Sequence, residues 1–515
     1  MSWLNGHALT VITFLPLAGA ASVAFVPREA VKRARWVALI VSLAEFLLAL
    51  YLFWGFRLHS PAMQFVENHP WISSPAINYH LGVDGLSLIL ILLTAFLTPL
   101  SILASWSGIS TRVKEFHLFL LALEAGSIGV FVSLDLFLFF MFWEVMLIPM
   151  YFLIGVWGHG RRVHAAVKFI LYTMVGSALM LVAILFLYNL TGTFNLEVIL
   201  QQLSSGQLAL SGRAENLLFW AFFIAFAIKV PLFPLHTWLP DAHTEAPTAG
   251  SVILAGVLLK MGTYGMLRFC LPLFPHAARQ FSPLISALAI IGIIYGALVA
   301  MVQPDLKRLV AYSSVAHMGF VVLGIFAFNT IGMEGAIYQM ANHGVSTGAL
   351  FILVGMLYDR RHTRLIKDFG GLGTTIPVLS TFFLIVSLSS LGLPMLNGFV
   401  GEFLIILGAF RRHAAYGALA AVGVILAAVY LLWMYQRVFL GEVTHEESRS
   451  MPDCNWREKA ILVAMIVVML FMGIYPQPFL RRMDAGVAQV LGRVAPGAAA
   501  PEYSWRRAPA AEARR

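Results

Sequence analysis

The ionisable side chains of Glu144, Lys229, Lys260 and Glu402 lie inside apolar stretches of the sequence. A charged group in the hydrocarbon of a membrane costs roughly 3 kcal/mol on insertion scales, and such groups often mark proton or ion pathways. Opposite charges within about 4–6 Å favour each other's ionised form. We therefore expect Glu144 to have a positively charged partner on another helix, and Lys229 is the natural candidate. The alternative is an ion pair that only holds two helices together.

Two histidines add groups that can relay a proton. His317 and His343 occupy polar stretches inside apolar segments, and imidazole accepts and donates at different nitrogens near neutral pH. The alternative for each is a core histidine satisfied by its neighbours. For Lys260 the alternative is a side chain that extends to the membrane surface, and for Glu402 a carboxylate held by free amides at a helix break. The six groups together predict a hydrated polar axis within the membrane.

The composition decides the class of protein. The chain of 515 residues is 60% hydrophobic and 11% charged, with a mean hydropathy of +0.83, which is typical of a polytopic membrane protein. Most lysines and arginines flank apolar segments, so the net charge of +9 indicates topology in a lipid bilayer rather than nucleic-acid binding. Two cysteines are too few for an iron–sulfur cluster. With no nucleotide-binding motif and no spacing that suits a metal, we expect no cofactor and no metal in this chain.

The apolar segments predict an all-α fold with about 14 membrane-spanning helices, at roughly 20 residues per span. The segment at 374–410 is too long for one straight helix, and Gly392, Pro394 and Gly398 near its middle predict a break. The segments lie at 7–26, 34–56, 85–106, 116–133, 135–157, 164–190, 216–239, 246–270, 282–302, 306–328, 333–358, 374–410, 414–440 and 457–478.

The predicted helix breaks indicate an internal repeat. Lys229 precedes Pro231 in the seventh segment, and Pro394 precedes Glu402 in the twelfth. An offset of five helices inverts the second copy in the membrane, which is the pattern of inverted-repeat transporters. Basic residues concentrate in alternate connections, beginning with Arg28, and predict that this side is cytoplasmic and that both termini lie outside.

Three stretches resemble a known family. They are 225–247, the basic turn Asp305–Arg308, and Tyr312–Gly319, and together they resemble the antiporter-like membrane subunits of respiratory complex I. That family is similar to subunits of multi-subunit cation/proton antiporters. Glu402 stands where the sister subunits L and N usually carry lysine, and the chain stops soon after its last apolar segment, without the long lateral helix typical of L. Both features favour the remaining antiporter-like subunit.

The resemblance implies a proton-translocating role in NADH:quinone oxidoreductase, with the redox chemistry elsewhere. It implies two inverted five-helix repeats, at 111–275 and 276–440, between an N-terminal three-helix region at 1–110 and a last helix with an Arg/Ala/Pro-rich tail at 441–515. The tail from Arg481 is expected to lack fixed structure. Carried over by motif, Glu144 and Lys229 form the charge pair, Lys260 is the central lysine, His317 and His343 belong to the polar axis, and Glu402 exchanges the terminal proton.

The resemblance also implies partners and a location. NADH, FMN, iron–sulfur clusters and quinone would be held by other subunits, and subunits L and N would be neighbours in a bacterial inner membrane. The rival functions are a subunit of a multi-subunit Na⁺/H⁺ or K⁺/H⁺ antiporter, driven by gradients alone, and a scaffold whose buried charges only hold helices together.

Overall fold

The N-terminal region consists of three helices and a short β-hairpin. The computed structural model describes residues 2–58 and 60–497. Glu67 of the hairpin accepts hydrogen bonds from the backbone N–H groups of Leu9 and Thr10, at 2.8 and 3.0 Å, and so fixes the hairpin to the first helix. The elements are α1 (Ser2–Phe25), α2 (Val31–Gly55), β1 (Gln64–Ile72), β2 (Ile77–Val83) and α3 (Gly85–Ala104).

The all-α prediction missed this antiparallel hairpin, in which Glu67 pairs with Leu81 and His69 with Tyr79. The segment lies between two long apolar stretches and carries the turn residues Ser74 and Pro75. Turn residues between two runs of mixed polarity are a hairpin signal, and this signal could have revealed β1 and β2.

The middle of the chain contains the first broken helix, which ends at Lys229 and resumes at Trp238. Asp135 caps α5 by accepting hydrogen bonds from the backbone N–H groups of Phe137 and Leu138. The elements are α4 (Val113–Val132), α5 (Leu136–Val145), α6 (Leu147–Trp157), α7 (Arg162–Thr191), α8 (Leu196–Ser204), α9 (Gly212–Lys229), α10 (Trp238–Glu245), α11 (Thr248–Ile253), α12 (Leu259–Gly265) and α13 (Leu271–Leu273). Two π-helical turns, Leu254–Leu258 and Met266–Cys270, join α11 to α12 and α12 to α13.

The rest of the chain contains the second broken helix. The predicted break within 374–410 is confirmed, because α18 ends at Ser390 and α19 begins at Asn397. The elements are α14 (Pro275–Met301), α15 (Leu306–Ile325), α16 (Thr330–Arg361), α17 (Leu372–Thr375), α18 (Pro377–Ser390), α19 (Asn397–Arg412), α20 (Ala414–Phe439), α21 (Trp456–Ile474) and α22 (Gln477–Val494).

The fold is that of a multi-pass membrane protein. In the described part of the chain, 11 helices are long and apolar enough to cross a membrane, or 12 if α21 and α22, which meet at 65°, count as one span. The predicted number of 14 membrane spans is therefore not confirmed by helix length and composition. Two predicted segments, 216–239 and 374–410, correspond to the broken elements. In the first, α9 is long enough but carries three charged residues; in the second, α18 and α19 are each too short to qualify.

The expectation of an unstructured tail from Arg481 is wrong for residues 481–494, which belong to α22. Leu480, Met483 and Val487 recur at helical spacing and are buried, as expected of an amphipathic helix, and α22 packs against α3 and α16. The Arg/Ala/Pro-rich composition hid this periodicity. Residues 498–515 lie outside the described part of the chain.

Candidate proton-transfer site

Lys229 is the last residue of α9 and is completely buried. The helix cannot continue regularly because Pro231 and Pro234 lack the N–H groups that the ladder needs. The carbonyl oxygen of Ile228, freed at this end, accepts a hydrogen bond from the indole Nε1 of Trp238 at 2.8 Å. The break thus ends α9 at the lysine while satisfying the backbone around it.

Aromatic rings and a thioether surround the Lys229 ammonium. Its Nζ lies 5.2 Å from the ring centre of Trp143 and 5.3 Å from that of Phe169, within the range of cation–π attraction. The Sδ of Met146 is 3.9 Å away. In the described residues, no carboxylate lies within ion-pair distance of Lys229.

Glu144 faces Lys229 without contacting it. The carboxylate is next to the junction of α5 and α6 and acts on the lysine electrostatically. Its Oε1 is buried without a hydrogen-bond partner in the described structure. The structure therefore places the two predicted groups in one region, with the pair open rather than joined at hydrogen-bond distance.

Lys260 lies on α12, between the two π-helical turns. Such turns often occur at functional positions in helices. The lysine is fully buried, donates to the carbonyl oxygen of Ala255 within the first π turn, and places Nζ 2.6 Å from Nδ1 of His343. These inward contacts exclude a side chain that extends to the membrane surface.

A row of polar groups continues from His343 to Glu402. The rings of His343 and His317 have centres 5.8 Å apart, and Nδ1 of His317 is 3.0 Å from Oε1 of Glu402. The same oxygen accepts a hydrogen bond from Nε2 of Gln339 at 3.0 Å. We call Lys260, His343, His317 and Glu402 the polar row; all four are buried.

The second helix break positions the end of the polar row. Gly392 adopts φ of +80°, and a Cβ at this position would approach Oε2 of Glu402 to 2.8 Å. Asn342 of α16 donates to the carbonyl oxygen of Asn397 at 2.7 Å, so α16 and the first residue of α19 are tied together. A side chain other than hydrogen at position 392 would displace the carboxylate.

A small cavity lies beside the two histidines. It measures about 10 Å³, which is about the least space that holds one water molecule. Hydroxyl and amide groups give such a molecule the hydrogen-bond partners that it needs. The lining residues include His317, His343, Gln339, Asn342, Ser346 and Ser389.

The structure also shows buried ionisable groups that the sequence reasoning did not select. His243 of α10 is completely buried and stacks on Phe351 with ring centres 4.5 Å apart. Neither ring nitrogen has a hydrogen-bond partner in the described structure. Glu45 on α2 and Glu124 on α4 are also buried. Each is a lone carboxylate in an apolar stretch, the same signal that singled out Glu144.

The comparisons with known proteins agree with one another. Residues 133–428 match the family described as "NADH:quinone oxidoreductase/Mrp antiporter, TM", and residues 30–125 match "NADH-ubiquinone oxidoreductase chain 4, amino terminus". A relative named NADH-quinone oxidoreductase subunit M, from Rhodobacter capsulatus, is 48% identical over 91% of this chain and 93% of its own. NADH-ubiquinone oxidoreductase chain 4 of Marchantia polymorpha is 45% identical over 94% of this chain and 97% of its own.

Solved structures share the fold. A chain of respiratory complex I from Thermus thermophilus with bound NADH superposes with a TM-score of 0.85 at 33% identity, covering 94% of this chain and all of that one. A chain of the Mrp complex from Dietzia has a TM-score of 0.82 at 22% identity, over 96% of this chain and 98% of that one, and this similarity shows the fold alone. The resemblance inferred from the sequence is thus confirmed: the chain belongs to the antiporter-like membrane subunits of NADH:quinone oxidoreductase, in the branch whose members are named subunit M or chain 4.

Proposed function

We propose that this chain carries protons across the membrane for NADH:quinone oxidoreductase, while other subunits oxidise NADH and reduce quinone. The observation that carries the proposal is the buried polar row from Lys260 to Glu402 on α12, α16, α15 and α19. The chemistry of these groups suits proton transfer, because a buried ammonium, two imidazoles and a carboxyl group can each bind and release a proton.

In this proposal, the transfer steps follow the contacts of the polar row. The Lys260 ammonium gives its proton to Nδ1 of His343, 2.6 Å away, and is left as a neutral amine. No hydrogen bond joins the two imidazole rings in the described structure, and His343 Nε2 lacks a partner there, so one water molecule in the adjacent cavity would bridge them. His317 then passes the proton to Glu402 across 3.0 Å.

Glu144 and Lys229 provide the coupling in this proposal. Because the pair is open, the charge of Lys229 depends on a carboxylate that a small movement of α5 or α9 can bring closer or move away. A change of charge in a neighbouring subunit during quinone reduction would shift this pair and, through it, the affinity of Lys260 for its proton. Each proton moved against 100 mV requires roughly 2.3 kcal/mol, which the redox reaction must supply.

The finer architecture belongs to the same proposal. We assign the two broken elements, α9–α10 and α18–α19, as membrane spans; with α21 they complete about 14. The broken helices would be equivalent elements of two inverted five-helix repeats, at 111–275 and 276–440, flanked by regions 1–110 and 441–515. The proposed boundaries at 110 and 440 fall between helices, whereas 275 is the first residue of α14.

The proposal places this chain within a larger assembly. NADH, FMN, iron–sulfur clusters and quinone would be bound by other subunits, with none of them in this chain. Its neighbours would be the antiporter-like subunits L and N, in a bacterial inner membrane. Co-purification tests this assignment. Flavin and iron–sulfur subunits purified with the chain would support it, whereas antiporter subunits alone would support a Na⁺/H⁺ or K⁺/H⁺ antiporter.

Substitutions of Lys260 and of Lys229 test the role of the polar row. Lys260→Ala removes the group that titrates, and we expect the complex to lose most of its proton pumping, by at least roughly tenfold, the effect of about 1.4 kcal/mol on a barrier. Lys229→Arg keeps a positive charge beside Glu144, and we expect part of the pumping to remain. The measurement is the proton-to-electron ratio of the purified complex in liposomes.

Quinone reduction and the yield of assembled complex serve as controls for both variants. Equal pumping by Lys260→Ala and Lys229→Arg would contradict a titrating role for Lys260. An assembled Lys260→Ala complex with the parental ratio would instead support the scaffold function.

A further inference from the structure

Two buried carboxyl groups outside the polar row interact across a pair of packed helices. Glu45 lies on α2 and Glu124 on α4, two helices that pack together. The side chains are 0% and 1% exposed. Glu124 is the charged group that acts on Glu45, so these two side chains form one cluster.

In the part of the chain that the structure describes, no positive charge neutralises this cluster. Among the described residues, no lysine, arginine or histidine lies within ion-pair distance of either carboxyl group, and all four carboxyl oxygens lack a hydrogen-bond partner. Thr98 of α3 is a polar neighbour of Glu124, but its hydroxyl donates to the carbonyl oxygen of Thr94. Two interacting carboxylates that are both buried without a counter-ion cannot both stay ionised.

We propose that Glu45 and Glu124 form a second protonatable site, a carboxyl pair that shares at least one proton and is separate from the polar row. A proton suits the pair better than a metal ion. Calcium, for example, takes six to eight oxygen ligands, and the described residues contain no group of three or more His, Cys, Asp or Glu side chains that could hold a metal.

His117 provides the route by which the pair exchanges its proton. It lies on α4 seven residues before Glu124, which places it on the same face at about 10 Å along the helix. Its Nδ1 is 2.7 Å from the carbonyl oxygen of Val113, so Nδ1 carries a hydrogen and Nε2, which is buried without a partner among the described residues, is free to take up a proton.

The proposed route continues from His117 towards one face of the membrane. Arg35 donates to the carbonyl oxygen of Ile109 at 2.9 Å, and its charge acts on His117. Ile109 lines a cavity of about 410 Å³, which we call the inner cavity because it lies at the end predicted to be cytoplasmic. A proton taken up at Nε2 passes, through water, to a carboxylate oxygen of Glu124; this forms the carboxylic acid and leaves a neutral imidazole.

Infrared difference spectroscopy of the whole purified complex tests the pair without turnover. A protonated carboxyl group gives a C=O stretching band that shifts in D₂O, and a pH jump reveals it. We expect Glu45→Gln and Glu124→Gln each to remove the same band, because the two groups share the proton. Glu115→Gln, on the same helix but partly exposed and paired with Arg112 at 3.8 Å, is the matched control and should retain the band.

The conservative variant and the histidine complete the test. Glu124→Asp keeps a carboxyl group and should retain a shifted band, whereas His117→Gln should slow the appearance of the band after the pH jump by at least roughly tenfold, as for a lost proton shuttle. A band that persists in both glutamine variants, or no such band in the parental complex, would overturn the carboxyl pair. An unchanged rate in His117→Gln would overturn the route.

Discussion

At the scale of single residues, the distance between charges decides what each group can do. Lys229 and Glu144 influence each other without forming a hydrogen bond, whereas His317 and Glu402 are joined at 3.0 Å. An open pair responds to movement of its helices, and a closed pair holds its geometry. The two halves of the proposed pathway therefore differ in kind: the first is suited to switching and the second to conduction.

Gly392 provides a residue-scale prediction. Gly392→Ala places a methyl group 2.8 Å from Oε2 of Glu402 at a backbone with φ of +80°. We expect a loss of stability of about 1–2 kcal/mol from the backbone and, in addition, a loss of proton pumping because the carboxylate is displaced from His317. Thermal unfolding and the proton-to-electron ratio measure the two effects.

A second glycine separates backbone strain from displacement of Glu402. Gly206 has φ of +75°, and a Cβ added there would have no other atom within 4 Å. Gly206→Ala should therefore lose similar stability while pumping at the parental ratio. If both variants pump equally well, close approach at Gly392 does not position Glu402.

The residue scale also shows what sequence reasoning can and cannot reach. A charge inside an apolar stretch is visible in the sequence, and it revealed the four charged groups of the proposed pathway. The same rule applied to Glu45 and Glu124 would have found them, but no motif drew attention to that region. His243 was missed because the prolines around it indicate a loop at the surface, whereas the chain folds back into the bundle there. Contact distances, such as the gap between Glu144 and Lys229, depend on the tertiary packing and have no signature in the sequence.

At the scale of elements, the broken helices have to satisfy the backbone groups that they expose. In hydrocarbon each unsatisfied group costs several kcal/mol, so a broken helix requires a partner for its last carbonyl groups. At the end of α9 this partner is the indole of Trp238, and at the second break the amide of Asn342 ties the first residue of α19 to α16 by donating to the carbonyl oxygen of Asn397. Side chains on neighbouring elements thus fix both breaks.

Trp238→Phe tests this role at the first break. The substitution keeps an aromatic ring but leaves the carbonyl oxygen of Ile228 without its 2.8 Å hydrogen bond. We expect a loss of about 1–3 kcal/mol, the usual effect of an unsatisfied buried acceptor, measured as a lower midpoint of thermal unfolding. Trp456→Phe, at an indole that is 81% exposed, is the control and should leave the midpoint unchanged. Equal midpoints for both variants would contradict the role of the indole.

The connection between α6 and α7 gives a pH-dependent prediction. His159 lines the inner cavity, and partial desolvation there, together with the positive charges of Lys307 and Arg364, lowers its pKa. An unfolded histidine takes up a proton near pH 6.5, so the unfolded chain binds the proton first as the pH falls. The contribution of His159 to stability is therefore present above about pH 6.5 and is lost as the pH falls through the lowered pKa of the folded protein.

Thermal unfolding of the complex between about pH 7.5 and 5.5 measures this contribution. The parental complex should lose more stability over this range than His159→Gln. His164→Gln, at an exposed histidine on α7, should follow the parental curve. Parallel curves for the parental complex and His159→Gln would contradict the prediction.

At the scale of the whole molecule, helices far apart in the sequence are held together by α22. This helix packs against α3, α14 and α16, and Arg482 donates to the carbonyl oxygen of Phe53 at 3.1 Å while lying 3.8 Å from the centre of its ring. Hydropathy predicts spans well because a span is defined by its own composition. It fails for α22, whose polar face lowers its mean hydropathy, and for the hairpin β1–β2.

Truncation tests the role of α22. A chain that ends after Pro476 lacks the helix, and we expect the yield of assembled complex to fall by roughly tenfold or more, the effect of about 1.4 kcal/mol on an equilibrium. A chain that ends after Gly497 keeps α22 and should assemble normally. Blue-native electrophoresis with in-gel NADH dehydrogenase staining measures both. Normal assembly of the shorter chain would contradict the stabilising role.

The π-helical turn Leu254–Leu258 also has a consequence for changes in chain length. A π turn accommodates one more residue than an α turn, so deleting one residue there would restore a regular helix. Successive residues of a helix differ by about 100° in direction, and the deletion would turn the Lys260 side chain away from His343 by about this angle. The deletion of one neutral residue would thus separate Lys260 from His343, although every residue of the polar row would still be present.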